Sequence, residues 1–156
     1  MENEWSKPGF FEMGLLKPED WASDWITYVP GMPGRVFYYK STFIKDKPIK
    51  QARVYISGLG FYEMYINNQK VGDQVLDPAQ STYSKRIYYS TYDVTDNLSG
   101  ESNVILISVA PGWYGIPSLR IQMEITYSDG SQGLITSNDM RHVEVGPKVY
   151  STIFDG

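Results

Sequence analysis

The chain contains no cysteine, which removes disulfides, thiol catalysis and cysteine-ligated zinc from consideration. It has one histidine, His142, so a histidine metal cluster is excluded too. A Ser-His-Asp relay would have to run through His142 with Asp139 nearby, yet no Gly-x-Ser-x-Gly elbow precedes a helix. His142 therefore reads as a surface residue in a loop. Positive charge is sparse. The net charge is −4 and no basic cluster is longer than Lys85-Arg86, so nucleic acid is not an expected partner. No apolar run approaches the ~20 residues of a membrane span, and no membrane partner is expected. The opening Met1-Glu2-Asn3-Glu4-Trp5 is acidic and polar, unlike a secretory signal, so any export signal is expected upstream and the compartment stays unassigned. Sustained helical periodicity is also missing. Only Pro18-Glu19-Asp20-Trp21 could open a short helix.

Aromatic residues, by contrast, are abundant. They make up 15% of the 156 residues, with 13 Tyr and 4 Trp. Tyrosine favours half-buried strands, and its ring can equally stack on the C–H face of a sugar. Apolar residues reach 42%, enough for one globular core at this length. Strands are expected at 35–44, 52–57, 62–66, 86–94, 103–109, 119–127, 133–135 and 149–153. Turn clusters such as Lys45-Asp46-Lys47-Pro48, Ser99-Gly100-Glu101-Ser102 and Ser128-Asp129-Gly130-Ser131 separate them. Short strands at this spacing predict a single all-β domain, a jelly-roll or Greek-key antiparallel sandwich with at most one short helix.

The most informative stretch runs from Gly58 to Asp73. Tyr62, Met64 and Ile66 fall on one face, Phe61, Glu63 and Tyr65 on the other, and Asn67-Asn68 supplies two residues that tolerate positive φ. It continues into Leu76-Asp77-Pro78 and then Thr82 through Thr95. Upstream lie Trp5, Ser6, Phe11, Glu12, Gly14, Leu15, Leu16, Asp20, Trp21, Trp25 and Ile26, and downstream Ser151, Ile153, Phe154, Asp155 and Gly156, with Thr152 as an extra residue. In this order the motifs resemble the N-terminal β-sandwich of bacterial α-L-rhamnosidases. The resemblance implies a galactose-binding-like accessory domain at 18–150. Residues 1–17 would be a linker from a preceding fibronectin-like domain, and 151–156 the start of a linker to a separate (α/α)6 catalytic barrel. It also implies that this chain alone is not an enzyme, while its parent hydrolyses α-L-rhamnosides by an inverting route. Expected partners are the catalytic and fibronectin-like domains of that parent, with rhamnose-containing glycans as candidate ligands. Two other readings stay open: an autonomous lectin-like module, and the sugar-binding domain of a β-galactosidase-type glycosidase.

Candidate contact residues follow from the same stretch. Trp113 and Tyr114, after Pro111-Gly112, are similar to the family's Gly-Trp-Tyr loop and are placed to stack on a sugar or pack on a neighbouring domain, unless Trp113 folds back over the sandwich. Tyr83 and Arg86 lie in the loop before a strand, and Arg86 is expected to brace Asp77 or Asp93. The carboxylates sit mostly where turns and solvent faces place acids, so no catalytic pair is assigned. Some relatives bind L-rhamnose through calcium held by an Asp-Asn pair before the aromatic strand. The corresponding positions here are Leu59 and Gly60, neither able to ligate a hard cation, so no metal or other cofactor is expected. Asn68 stands where the family motif has Gly, a change the left-handed turn should tolerate.

Overall fold

Side-chain alternation builds this molecule. The computed structural model describes residues 9, 11–28, 34–113, 116–140 and 142–145. Within it, Tyr62, Met64 and Ile66 are buried and Phe61, Glu63 and Tyr65 are half-buried, as the period of two demands. Ten strands occur among the described residues. They are β1 (Ile26–Thr27), β2 (Phe37–Ile44), β3 (Ile49–Leu59), β4 (Phe61–Ile66), β5 (Gln69–Lys70), β6 (Ser90–Asp93), β7 (Ser102–Ala110), β8 (Ser118–Tyr127), β9 (Gln132–Thr136) and β10 (His142–Val145).

They form two antiparallel sheets. The first runs β6-β3-β8, with β1 and β9 both on the other edge of β8; the second runs β10-β2-β7-β4-β5. Val54 and Ile56 of β3 and Ile121, Met123 and Ile125 of β8 face Tyr39, Met64, Ile105 and Ile107 of the second sheet, and together they make the core. The all-β sandwich expected from the sequence is therefore the observed fold, with two single 3-10 turns, Pro18–Asp20 and Ser137–Asp139, as its helical elements among the described residues.

The differences have local causes. The strand expected at 86–94 is shortened to β6, because Arg86 N donates to Thr82 O at 2.9 Å and closes a turn. The helix expected after Pro18 stops at one turn, where Asp20 Oδ2 accepts from Leu16 N (2.8 Å) and Lys17 N (2.9 Å). His142 lies on β10 rather than in a loop, paired opposite Lys40. The strand expected at 149–153 lies outside the described residues.

Asn67 and Asn68 adopt φ of 51° and 64°, as the hairpin requires. The Asn67 side chain also donates to Asn97 O (2.9 Å) and Asn103 Oδ1 (2.8 Å) and accepts from Val104 N (3.0 Å), tying the hairpin to the start of β7.

Residues 12–22 lie along the outer face of the first sheet. Glu12 Oε2 accepts from Arg53 Nε at 2.5 Å, and Arg53 also pairs with Asp93 at 2.6 Å. Tyr89 donates its hydroxyl to Leu15 O (2.9 Å), Trp21 meets the edge of Tyr89 at 5.6 Å, and Arg120 stacks over Trp21 at 4.6 Å. Gln122 accepts from Ala22 N (2.6 Å) and donates to Asp20 O (3.1 Å). The outward positions of β3 and β8 are thus covered by a strap of this chain's own backbone.

Candidate functional site at the loop end

Three connections meet at one end of the sandwich: the β3–β4 junction at Gly60, residues 71–89 between β5 and β6, and residues 111–113 and 116–117 between β7 and β8. Gly60 has a φ of 122°, and a Cβ there would run into Ala110 O. A Cβ on Gly112 would stand 3.1 Å from Gly60 Cα and 3.4 Å from Gln80 Nε2. Gly60 N donates to the Tyr83 hydroxyl at 3.2 Å. Glycine at 60 and 112 lets the β3–β4 and β7–β8 backbones approach this closely, with the Gln80 and Tyr83 side chains reaching in from the third connection.

Asp77 is the clasp of this end. Its Oδ2 accepts from the Tyr62 hydroxyl, the Tyr92 hydroxyl and Ser90 Oγ, each at 2.6 Å, while Tyr62 N donates to Asp77 O at 2.8 Å. Tyr62 belongs to the second sheet and Ser90 and Tyr92 to the first, so one carboxylate joins both layers. Burial works against the charge on Asp77, but the three hydroxyl donors outweigh it and hold the carboxyl below its ordinary range. Burial, then the hydrogen bond to Asp77, pushes the Tyr62 hydroxyl far above an ordinary phenol. Burial is also the largest influence raising Tyr92, followed by Asp77. Both tyrosines therefore stay neutral donors.

The candidate residues fare differently. Trp113 is 60% exposed at the loop tip, and Val75, Leu76 and Ile116 are exposed as well. Tyr83 is half-buried, its hydroxyl turned to Gly60. Arg86 is exposed and braces neither expected acid: Asp77 is held by three hydroxyls and Asp93 by Arg53. Tyr114 lies outside the described residues. Among the described residues no three His, Asp or Glu side chains converge in a way that could hold a metal ion. The Tyr62–Ser90–Tyr92 set around Asp77 was not foreseen; its signal was tyrosine at an inward position of two different strands, each needing a buried acceptor.

The family model described as the α-L-rhamnosidase N-terminal domain matches residues 47–156. The chain belongs to this family. An α-L-rhamnosidase from Formosa agariphila is 32% identical over 99% of this chain, which corresponds to 21% of that protein. The crystal structure of native α-L-rhamnosidase from Aspergillus terreus superposes with a TM-score of 0.83 at 35% identity, covering 92% of this chain and 19% of that one. A lectin from Pleurotus ostreatus, in complex with GalNAc, gives a TM-score of 0.55 at 26% identity, covering 73% of this chain and 32% of that one. The rhamnosidase N-terminal domain is thus a galactose-binding-like sandwich, and the chain spans about a fifth of the length of the curated relatives it matches.

Proposed function

We propose that this domain is a non-catalytic accessory unit of an α-L-rhamnosidase that supports the catalytic barrel of its parent by docking through the loop end. The observation that carries this reading is the exposure of Val75, Leu76, Trp113 and Ile116 on the connections that Asp77, Gly60 and Gly112 tie to the sandwich. Large apolar side chains left exposed in this way are the kind that interaction surfaces use. Several acids are already engaged: Asp77 by hydroxyls, Asp93 and Glu12 by Arg53, Glu63 by Lys70 and Asp129 by Lys47. Carboxylates committed in this way are poorly suited to serve as the opposed acid pair that glycoside hydrolysis requires, which supports the accessory reading. Incubated with an aryl α-L-rhamnoside, the chain alone is expected to release no nitrophenol. Release that disappears when one of its own carboxylates is replaced would refute the accessory reading.

Contact with rhamnose-containing glycans is the second half of the proposal, supported by the likeness to a lectin solved with GalNAc. Such contact is expected to need no calcium, because position 59 carries Leu and position 60 has no room for a side chain. Trp113→Ala should leave the melting temperature of the chain within about 2 °C, the usual reach of a surface change. In the parent enzyme the same change should lower the temperature at which the domains separate. Calorimetric titration with L-rhamnose, with calcium and with chelator, checks the metal. Affinity abolished by the chelator would contradict the reading.

A further inference from the structure

The second sheet carries a trough of its own, away from the loop end. Among the described residues β10 pairs with residues 37–40 of β2, and Thr42–Ile44 have β7 on one side and no strand on the other. Lys45 N donates to Glu101 O at 2.7 Å, which turns the odd-numbered backbone groups of β2 toward β7. By alternation, the N–H and C=O of Thr42 and Ile44 face the open edge. Two grooves meet there. One of about 460 Å³ lies between this edge and Leu134, Ile135 and Asp139, and one of about 280 Å³ lies over Tyr38, Leu106 and Glu144. Lys40 and His142 line both, so the grooves adjoin at this paired position and together make up the trough.

The chemistry of the lining is distinctive. Some surface charges are matched, as in Lys70–Glu63 at 2.9 Å and Lys47–Asp129 at 3.0 Å. Lys40, Thr42, His142 and Glu144 have no ion pair or side-chain hydrogen bond among the described residues. Together with the edge amides and carbonyls they offer both donors and acceptors around the two grooves. An anion would call for donors alone. A ligand dense in hydroxyls, each both donor and acceptor, matches the mixture, and the half-buried Tyr38 ring offers a stacking face. Two adjoining compartments suit a ligand of more than one ring.

We propose that the trough centred on Lys40 and His142 is an oligosaccharide-binding site, distinct from the loop end. It rests on the glycan half of the function proposed above and assigns that contact to a different surface. The test is titration of the isotopically labelled 156-residue chain with L-rhamnose and with the disaccharide rutinose, followed by amide and side-chain NMR shifts. Shifts are expected at Tyr38, Lys40, Thr42, His142 and Glu144, with rutinose binding more tightly than L-rhamnose. His142→Ala and Glu144→Ala should each weaken rutinose roughly two- to tenfold, the worth of one hydrogen bond, while Trp113→Ala leaves affinity unchanged. Both variants are at exposed positions, and their spectra report directly whether they remain folded. Shifts confined to Trp113 and its neighbours would overturn the trough and keep the glycan reading. No shifts anywhere would overturn both. Protection of the Thr42 and Ile44 amides by the rest of the parent chain, without sugar shifts, would assign the trough to a protein neighbour and overturn the proposal.

Discussion

Gly60→Ala is expected to destabilise this domain by about 3–5 kcal/mol, lowering its melting temperature by roughly 10 °C or more. Two costs combine at this position. A φ of 122° is one that L side chains rarely adopt, and the added methyl would be driven into Ala110 O with Gly112 N only 3.3 Å away. The backbone has little freedom to relieve the clash. Phe61 and Ala110 are partners in the β4–β7 ladder, and Leu59 is paired with Ser118 on the other sheet. Gly130→Ala is the control: its φ is 84°, yet nothing lies within 4 Å of a new Cβ. That variant should lose only about 1–2 kcal/mol, the left-handed penalty alone. Denaturant titration of both measures the difference. Equal losses would mean that the contact with Ala110 has no energetic weight. The same crowding shows why position 60 cannot carry an oxygen ligand without reshaping the junction.

How much of this could be read from the chain depends on the range of the interactions involved. Strand positions and the Asn67-Asn68 turn are local. Tyr62, Met64 and Ile66 declare their face by spacing, and Asn-Asn declares left-handed backbone by residue type. The family, too, was legible, because its motif order is linear. The shortened β6 was not, since the turn that delays it is held by Thr82 O and by Ser81 Oγ donating to Arg86 O, bonds that no periodicity encodes. Arg86 was expected to brace Asp77 or Asp93. In space Asp93 is opposite Arg53, its register partner on β3, and Asp77 has been taken by hydroxyls from two strands. The trough escaped detection for the same reason. Lys40 and His142 are about a hundred residues apart and meet only because β10 joins β2. Spacing reveals which face a residue occupies, but not which strand will lie beside it.

Asp77→Ala should have the other large effect, a loss of about 2–4 kcal/mol, because it removes the acceptor that serves three hydroxyls at once. Tyr62 is only 5% exposed and cannot turn to water. The loss is capped because the Tyr62 and Tyr92 hydroxyls, 3.3 Å apart, can partly satisfy each other. Asp77→Asn keeps an acceptor oxygen but not the charge, and should lie between wild type and Asp77→Ala. The pH dependence then separates charge from shape. The carboxyl of Asp77 is held below its ordinary value in the folded protein, so its contribution is complete above the unfolded value of about 4 and is lost as pH falls through the folded one. Glu12, Asp20, Asp93 and Asp129 are also lowered, and wild type alone would report their sum. The difference between wild type and Asp77→Asn isolates one group, because the other carboxylates titrate in both. Unfolding free energies measured from pH 7 downward should show that difference constant near neutrality and shrinking below about pH 4. A difference that stays constant throughout would mean that the clasp works by geometry alone, with no contribution from the charge of Asp77.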